Sequence, residues 1–281
     1  MSLNEESEKC GKIHDALAEY WNWAYYDTPH SKCSWVLEEY VKRLKFDVEN
    51  RIPIMLQEME ELLKQHSKNT FNVLDVGCGV GGFIQRAVIP LSKKYSNVKF
   101  GISGIDISSE MINYAKKNLS DFDVELVCDS ITNPSLKFKN EPFDVAIIMA
   151  TLSFYKDENA KEILRAIHNK LKSGGWLAVL DFVKSYEWAG FTFLKKPLQK
   201  LTDMFFSHLI GESVHFNTRT KDQLEALLNE NSFKTTKSKL SDEKSKLKGM
   251  LVIRALSLKD IGKVRGESED ILTLKEVQIP A

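Results

Sequence analysis

The stretch Asn72 to Gly82, NVLDVGCGVGG, constrains this 281-residue chain more than any other. Val73, Leu74 and Val76 form a short apolar run of the kind a buried strand needs. The run breaks at Gly77, Gly79, Gly81 and Gly82, and a helix-like segment, Phe83 to Leu91, follows. Strand, glycine turn and helix start together make a nucleotide-binding architecture. The glycines let the backbone turn tightly and let a ligand approach main chain that a Cβ would keep away.

Two ligand classes use such a turn, and Gly77, Gly79 and Gly82 also satisfy the dinucleotide spacing G-x-G-x-x-G. Asp75, two positions before the first glycine, separates them. A dinucleotide places a doubly negative pyrophosphate on the turn, which a neighbouring carboxylate repels. A ligand bearing an ammonium and a sulfonium is attracted instead, so the residues favour S-adenosylmethionine over NAD.

The run V-L-D-V-G-C-G-V-G-G resembles the first motif of the class I S-adenosylmethionine-dependent methyltransferases. The likeness continues downstream in order. Gly104-Ile105-Asp106-Ile107-Ser108 ends a strand-like run from Lys99, and Asp106 follows Gly82 at close to the roughly 20 residues expected of an acid on ribose hydroxyls. Val124 to Val127 ends in Cys128-Asp129-Ser130. Phe143 to Met149 is similar to the fourth strand, and Leu171-Lys172-Ser173-Gly174-Gly175-Trp176-Leu177 to the turn into the fifth, with Ser173 where the family usually has proline. Phe233 to Leu240 and Gly249 to Leu256 resemble the family's closing hairpin. Trp21 with Tyr25-Tyr26-Asp27 is similar to a segment of the small-molecule, ubiquinone-biosynthesis-like type that folds over cofactor and substrate.

Over Phe71 to Leu256 the resemblance implies an α/β, Rossmann-like fold: a seven-stranded, mostly parallel sheet with the last strand antiparallel, helices on both faces and an N-terminal helical cap. It implies that Asp106 holds the ribose diol and Asp129 the adenine amino group. Asp75, Gly77, Cys78, Gly79 and Gly81 come to the cleft from the first strand and turn. Ile107 and Met111 come from the second, Ser130 from the third and Met149 from the fourth. Tyr26 joins them from the cap. The fourth strand lacks the (Asn/Asp)-Pro-Pro-(Tyr/Phe) turn of enzymes acting on planar nitrogens, since Met149-Ala150-Thr151-Leu152-Ser153 stands there. Phe154 and Tyr155, next in line, could wall the pocket.

Each of these residues also has a structural reading. Asp106 could cap the helix Ser109 to Leu119, because aspartate favours that position. Asp129, ahead of Ser130 and Asn133-Pro134, could be a turn former. The aromatic side chains of Ile13 to Tyr26 could be the packed face of a helix.

Around the core, residues 1–70 read as a helical cap with helices over Ile13 to Tyr26, Ser34 to Leu44 and Ile54 to Leu63. Residues 71–256 read as the methyltransferase core, and 257–281 as a charged tail. Within the core, 183–220 is an aromatic-rich insert, too long for an ordinary connection. It reads as a substrate lid or a dimer surface. His30, His208 and His215 are the candidate bases, a role needed only if the acceptor starts protonated.

Lys+Arg and Asp+Glu both number 39, which gives no general nucleic-acid or membrane surface. The start MSLNEESEKC lacks a signal-peptide core, and Cys10, Cys33, Cys78 and Cys128 show neither zinc nor disulfide spacing. The expectation is a cytoplasmic monomer or homodimer without a metal. It would transfer a methyl group from S-adenosylmethionine to a small, partly apolar molecule. The alternatives are a methyltransferase-fold partner subunit and a protein or RNA methyltransferase.

Overall fold

The computed structural model describes residues 2–28, 35–182, 217–240 and 250–258. Residues 183–216 of the insert and most of the tail, together with the readings placed on them, lie outside the described residues.

Helix α1 (Leu3–Tyr26) begins ten residues earlier than the aromatic pattern indicates. Ser2 caps it, and the Glu5 side chain accepts from the Ser2 backbone N–H, so a reciprocal capping box fixes its start. Cys10, Ile13, Leu17 and Ala24 line its buried face at helical spacing. It ends where Asp27 turns left-handed, at φ 58°.

Helix α2 (Trp35–Gln65) is continuous where two helices were expected, and Pro53 lies inside it. An internal proline costs about 3 kcal/mol through its lost N–H and ring clash. Val48, Ile52, Met55 and Met59 are all buried around it. At roughly 1.5–3 kcal/mol for each buried side chain, packing outweighs the break.

Strand β1 (Thr70–Val76) leads through the glycine turn into a π-helical stretch, Ile84–Val88, and then α3 (Ile89–Lys94). The helix therefore runs past the expected Leu91. The wide turn has a local cause: Pro90 has no N–H to donate, and the Ile89 N–H reaches back to the Ile84 carbonyl.

The remaining elements are β2 (Lys99–Asp106), α4 (Ser109–Asn118), β3 (Val124–Cys128), β4 (Phe143–Met149), a 3₁₀ turn (Leu152–Phe154), α5 (Asp157–Lys170), β5 (Leu171–Phe182), α6 (Lys221–Glu230), β6 (Phe233–Leu240) and β7 (Met250–Ser257). The seven strands run in the order β3-β2-β1-β4-β5-β7-β6. Strands β3 to β5 pair in parallel, and β7 inserts antiparallel between β5 and β6. The chain reverses its direction of winding between β1 and β4, so the crevice opens at the carboxyl ends there.

Alternation along the strands builds a core on each face. Leu74, Val76, Ala146, Ile148, Leu177 and Val179 meet α5 and α6 on one side. Val73, Val145, Ile147, Ala178 and Leu180 meet α2, α3 and α4 on the other. Among the described residues no helix is long and apolar enough to cross a membrane.

A buried ion cluster ties α2 to the β6–β7 hairpin. Arg254 holds Glu58 Oε2 at 2.6 Å through Nη2 and Glu61 Oε2 at 2.6 Å, and Lys237 Nζ reaches Glu58 Oε1 at 2.7 Å. Arg254 and Glu58 are both buried. Removing one partner of such a pair strands a charge in the interior. Arg254→Met should lower unfolding free energy by about 3 kcal/mol in urea titrations. The double variant with Glu58→Met should recover part of that loss, whereas a single-variant loss under about 0.5 kcal/mol would mean that the cluster is solvated.

Candidate functional site

The carboxyl ends of β1 to β4 meet at one cleft because the backbone stitches them together. Gly77 N–H and Cys78 N–H both donate to the Ile105 carbonyl, at 2.8 and 3.0 Å. Asp129 N–H donates to the Asp106 carbonyl at 3.1 Å, and Ala150 N–H to the Leu180 carbonyl at 2.7 Å. Gly79 N–H donates to Asp106 Oδ2 at 2.9 Å, binding the glycine turn to the second strand. The turn needs its glycines: Gly77 and Gly79 have φ of 74° and 54°, and a Cβ on Gly77 would overlap the Thr151 side chain.

Helix α1 lies across these strand ends and is fastened at both ends of its span. The Asp15 carboxylate accepts from Ser108 Oγ at 2.6 Å and from Glu110 N–H at 3.0 Å. Nearer the start of α1, Glu6 accepts from Lys156 N–H at 3.2 Å and from Asn159 Nδ2. Each carboxylate therefore sits at a helix N-terminus, α4 for Asp15 and α5 for Glu6, where a negative charge is favoured. The Tyr25 ring fills the space over Gly82, so that a Cβ there would overlap it, and Arg86 donates to the Tyr25 carbonyl.

The result is a roofed cavity of about 130 Å³. Asp75, Gly77, Gly79, Asp106, Asp129 and Met149 form its floor, and Cys10, His14, Trp21 and Tyr25 of α1 form its roof. His14 fixes its ring by a 2.8 Å contact to the Cys10 carbonyl and an edge-on contact with Phe154, 4.8 Å between centroids.

Electrostatically the cavity is unusual in one group. Asp75 is 2% exposed, and its Oδ2 has no hydrogen-bond partner among the described residues. Burial, with a smaller effect of the Asp106 charge, pushes its carboxyl from 3.8 up to about 7. A buried carboxylate oxygen facing a cavity and lacking a donor fits a cationic ligand group.

Comparison with known proteins agrees with this geometry. Residues 73–175 match the family described as a methyltransferase domain. Over that span the chain is similar to methyltransferase domains. A carboxy-S-adenosyl-L-methionine synthase of Trichodesmium erythraeum is 30% identical over 117 residues, 40% of this chain and 43% of that protein. A malonyl-[acyl-carrier protein] O-methyltransferase of Priestia megaterium is 31% identical over 126 residues, 43% of this chain and 42% of that protein. The chain thus spans less than half the length of these curated relatives. The solved structure of magnesium protoporphyrin IX methyltransferase from Synechocystis PCC 6803, with S-adenosylmethionine bound, shares the fold at a TM-score of 0.54 and 14% identity. That likeness covers 87% of this chain and 95% of that one.

Within the matched residues, Asp75, Gly77, Cys78, Gly79, Asp106, Ile107, Met111, Asp129, Ser130 and Met149 all line the cavity. The cap reading of Asp106 fails on geometry. Ser108 is the N-cap of α4, accepting from Met111 N–H, while Asp106 accepts from Gly79 and Ser108 N–H groups. Asp129 does make the turn foreseen for it, accepting from Ser130 N–H at 2.7 Å and from Asn133 Nδ2 at 2.7 Å, and it faces the cavity as well.

Two expected residues stand behind the wall. Gly81 faces Leu119 and Ala115 beside α4, so its glycine serves packing. Tyr26 donates to the Val80 carbonyl at 3.3 Å and packs with Met111, and Tyr25 lines the cavity instead. A helix turns about 100° between neighbouring positions, and sequence alone does not phase it. His30, His208 and His215 lie outside the described residues. The roof residues Cys10 and His14 were missed, although Ser2 and Glu5 spell the capping-box signal S-x-x-E that marks the true start of α1. Also missed was Arg51 of α2, which lines the cavity.

Two outcomes follow from this geometry. Gly82→Ala should dislodge α1 through Tyr25, seen as faster proteolysis within residues 3–26 and a stability loss of about 1–3 kcal/mol. Adding Tyr25→Ala should reverse the proteolysis. In the ligand-free chain the folded pKa of Asp75 lies above its unfolded value, so the folded state holds a proton that the unfolded state releases. Its contribution therefore falls as pH rises from about 4 through 7. The stability of Asp75→Asn relative to the parent should rise over that window by a few kcal/mol, at about 1.4 kcal/mol per pKa unit. A pH-independent difference in urea titrations would contradict the burial argument.

Proposed function

We propose that this chain is a cytoplasmic methyltransferase that moves a methyl group from S-adenosylmethionine to a small, partly apolar molecule. The observation that carries the proposal is the pairing of two carboxylates around the glycine turn. Asp106 anchors the turn and faces the cavity, and Asp75 presents beside it an oxygen with no partner among the described residues.

When bound, the cofactor supplies an electrophilic sulfonium methyl group for in-line displacement. The chain's own residues position and enclose it. Asp106 keeps acceptor capacity for ribose hydroxyls, since a carboxylate has about four lone-pair sites and two backbone N–H groups use only part of them. Gly77 and Gly79 admit the ligand to main-chain contact. Asp75 offers its oxygen to the ammonium, and the aromatic rings of Trp21 and Tyr25 exclude water above. Alignment in a dry site supplies much of the rate of such a displacement. A base for protonated acceptors belongs to His30, His208 or His215. The insert over 183–220 is read as the acceptor's cover, and the oligomer as a monomer or homodimer.

Calorimetric titration tests the cofactor directly. The chain should bind S-adenosylhomocysteine and S-adenosylmethionine in the micromolar range and leave NAD unbound, and Asp106→Ala should weaken the first two at least about tenfold. Binding of NAD alone would overturn the reading.

A further inference from the structure

One wall of the cavity is the 3₁₀ turn after β4, which contributes Thr151, Phe154 and Tyr155. Its own bonds run from Phe154 N–H to the Thr151 carbonyl at 3.2 Å and from Tyr155 N–H to the Leu152 carbonyl at 3.1 Å. Bonds of this i to i+3 kind have poor geometry and hold a short turn weakly. Arg219, just ahead of α6 and 5% exposed, braces it from behind. The guanidinium donates through Nη1 to the Leu152 carbonyl at 3.0 Å, through Nη2 to the Tyr155 carbonyl at 2.7 Å and through Nε to Asp157 Oδ1 at 2.8 Å. Between those carbonyls Ser153 is gripped on both sides. Its N–H donates to Asp181 Oδ2 at 3.0 Å, and its carbonyl accepts from Asn217 N–H at 2.6 Å.

The braced turn reaches the cavity's floor and roof. Thr151 packs on Gly77, the first glycine after β1, and Phe154 meets the His14 ring of α1 edge-on. One buried guanidinium thus fixes a contact to each. The arrangement needs arginine, because a planar fork of five N–H donors spans two carbonyls and a carboxylate, whereas the lysine ammonium acts as a point charge.

We propose that Arg219 is a positioning residue for the bound cofactor: without touching the ligand, it holds the wall over 151–155 in its ligand-binding place. The inference rests on the cofactor reading above and adds a residue that reading does not contain. Removing the fork takes a buried donor from each of the two carbonyls and frees the turn to move. The site must then order its wall as the ligand binds, and affinity falls.

The test is calorimetric titration of the full chain with S-adenosylhomocysteine, at a temperature where urea titration shows each variant folded. Lys172→Met is the control, because Lys172 pairs with Asp144 at 2.7 Å at the amino end of β4, opposite the cavity. Its loss costs stability without reaching the turn. Arg219→Gln should weaken S-adenosylhomocysteine about tenfold or more, and Lys172→Met should stay within about twofold of the parent. Arg219→Lys keeps the charge and loses the fork, so it should recover only part of the affinity, and it carries the same comparison should Arg219→Gln not fold. Unchanged affinity in the Arg219 variants would overturn the proposal. So would an equal loss in Lys172→Met, since destabilisation alone would then explain both. Either result with a parent that binds leaves the cofactor reading standing. A parent that binds neither S-adenosylhomocysteine nor S-adenosylmethionine overturns that reading and this one together.

Discussion

The hydrogen bond from Gly79 N–H to the Asp106 carboxylate holds the site together. It joins the turn after β1 to the end of β2, and the Asp106 carbonyl in turn receives the Asp129 N–H from the end of β3. Three strand ends are thereby fixed relative to one another before any ligand arrives. Such preorganisation matters because a site that must assemble around its ligand spends binding energy on ordering. Parallel pairing of Val76 with Ile105, and of Asp106 with Cys128, sets the register that makes these bonds reachable.

The roof depends on a different interaction, negative charge at helix N-termini. Asp15 and Glu6 of α1 each seat on the first turn of a helix that follows a strand. Each end satisfies N–H groups that would otherwise have no intrahelical partner. The same strand-to-helix geometry that makes the cleft thus supplies the fastening points for its cover.

Strands β1 and β4 were legible from sequence because each is covered on both sides, so its apolar run is nearly continuous. Asp75 and Asp106 were legible as charges at the carboxyl ends of apolar runs, Asp75 just ahead of Val76 and the glycine turn and Asp106 as the last residue of β2. Other features were hidden by competing forces. Helix α1 starts in a polar segment whose signal is a cap and not a hydrophobic stripe, and α2 crosses Pro53 because packing outweighs a local break. Tyr25 and Tyr26 differ only by helical phase. Arg51 looks like any charge on an exposed helix until the sheet is placed beneath it.

Hydrogen exchange of the whole chain, with and without S-adenosylhomocysteine, tests most directly whether strand ends and roof are one site. Slowed exchange should appear together in α1, in the turn over 77–82 and over 106–111. Protection of the turn with α1 unchanged would mean that the roof is packing alone, and no protection in any of the three would contradict the cleft itself.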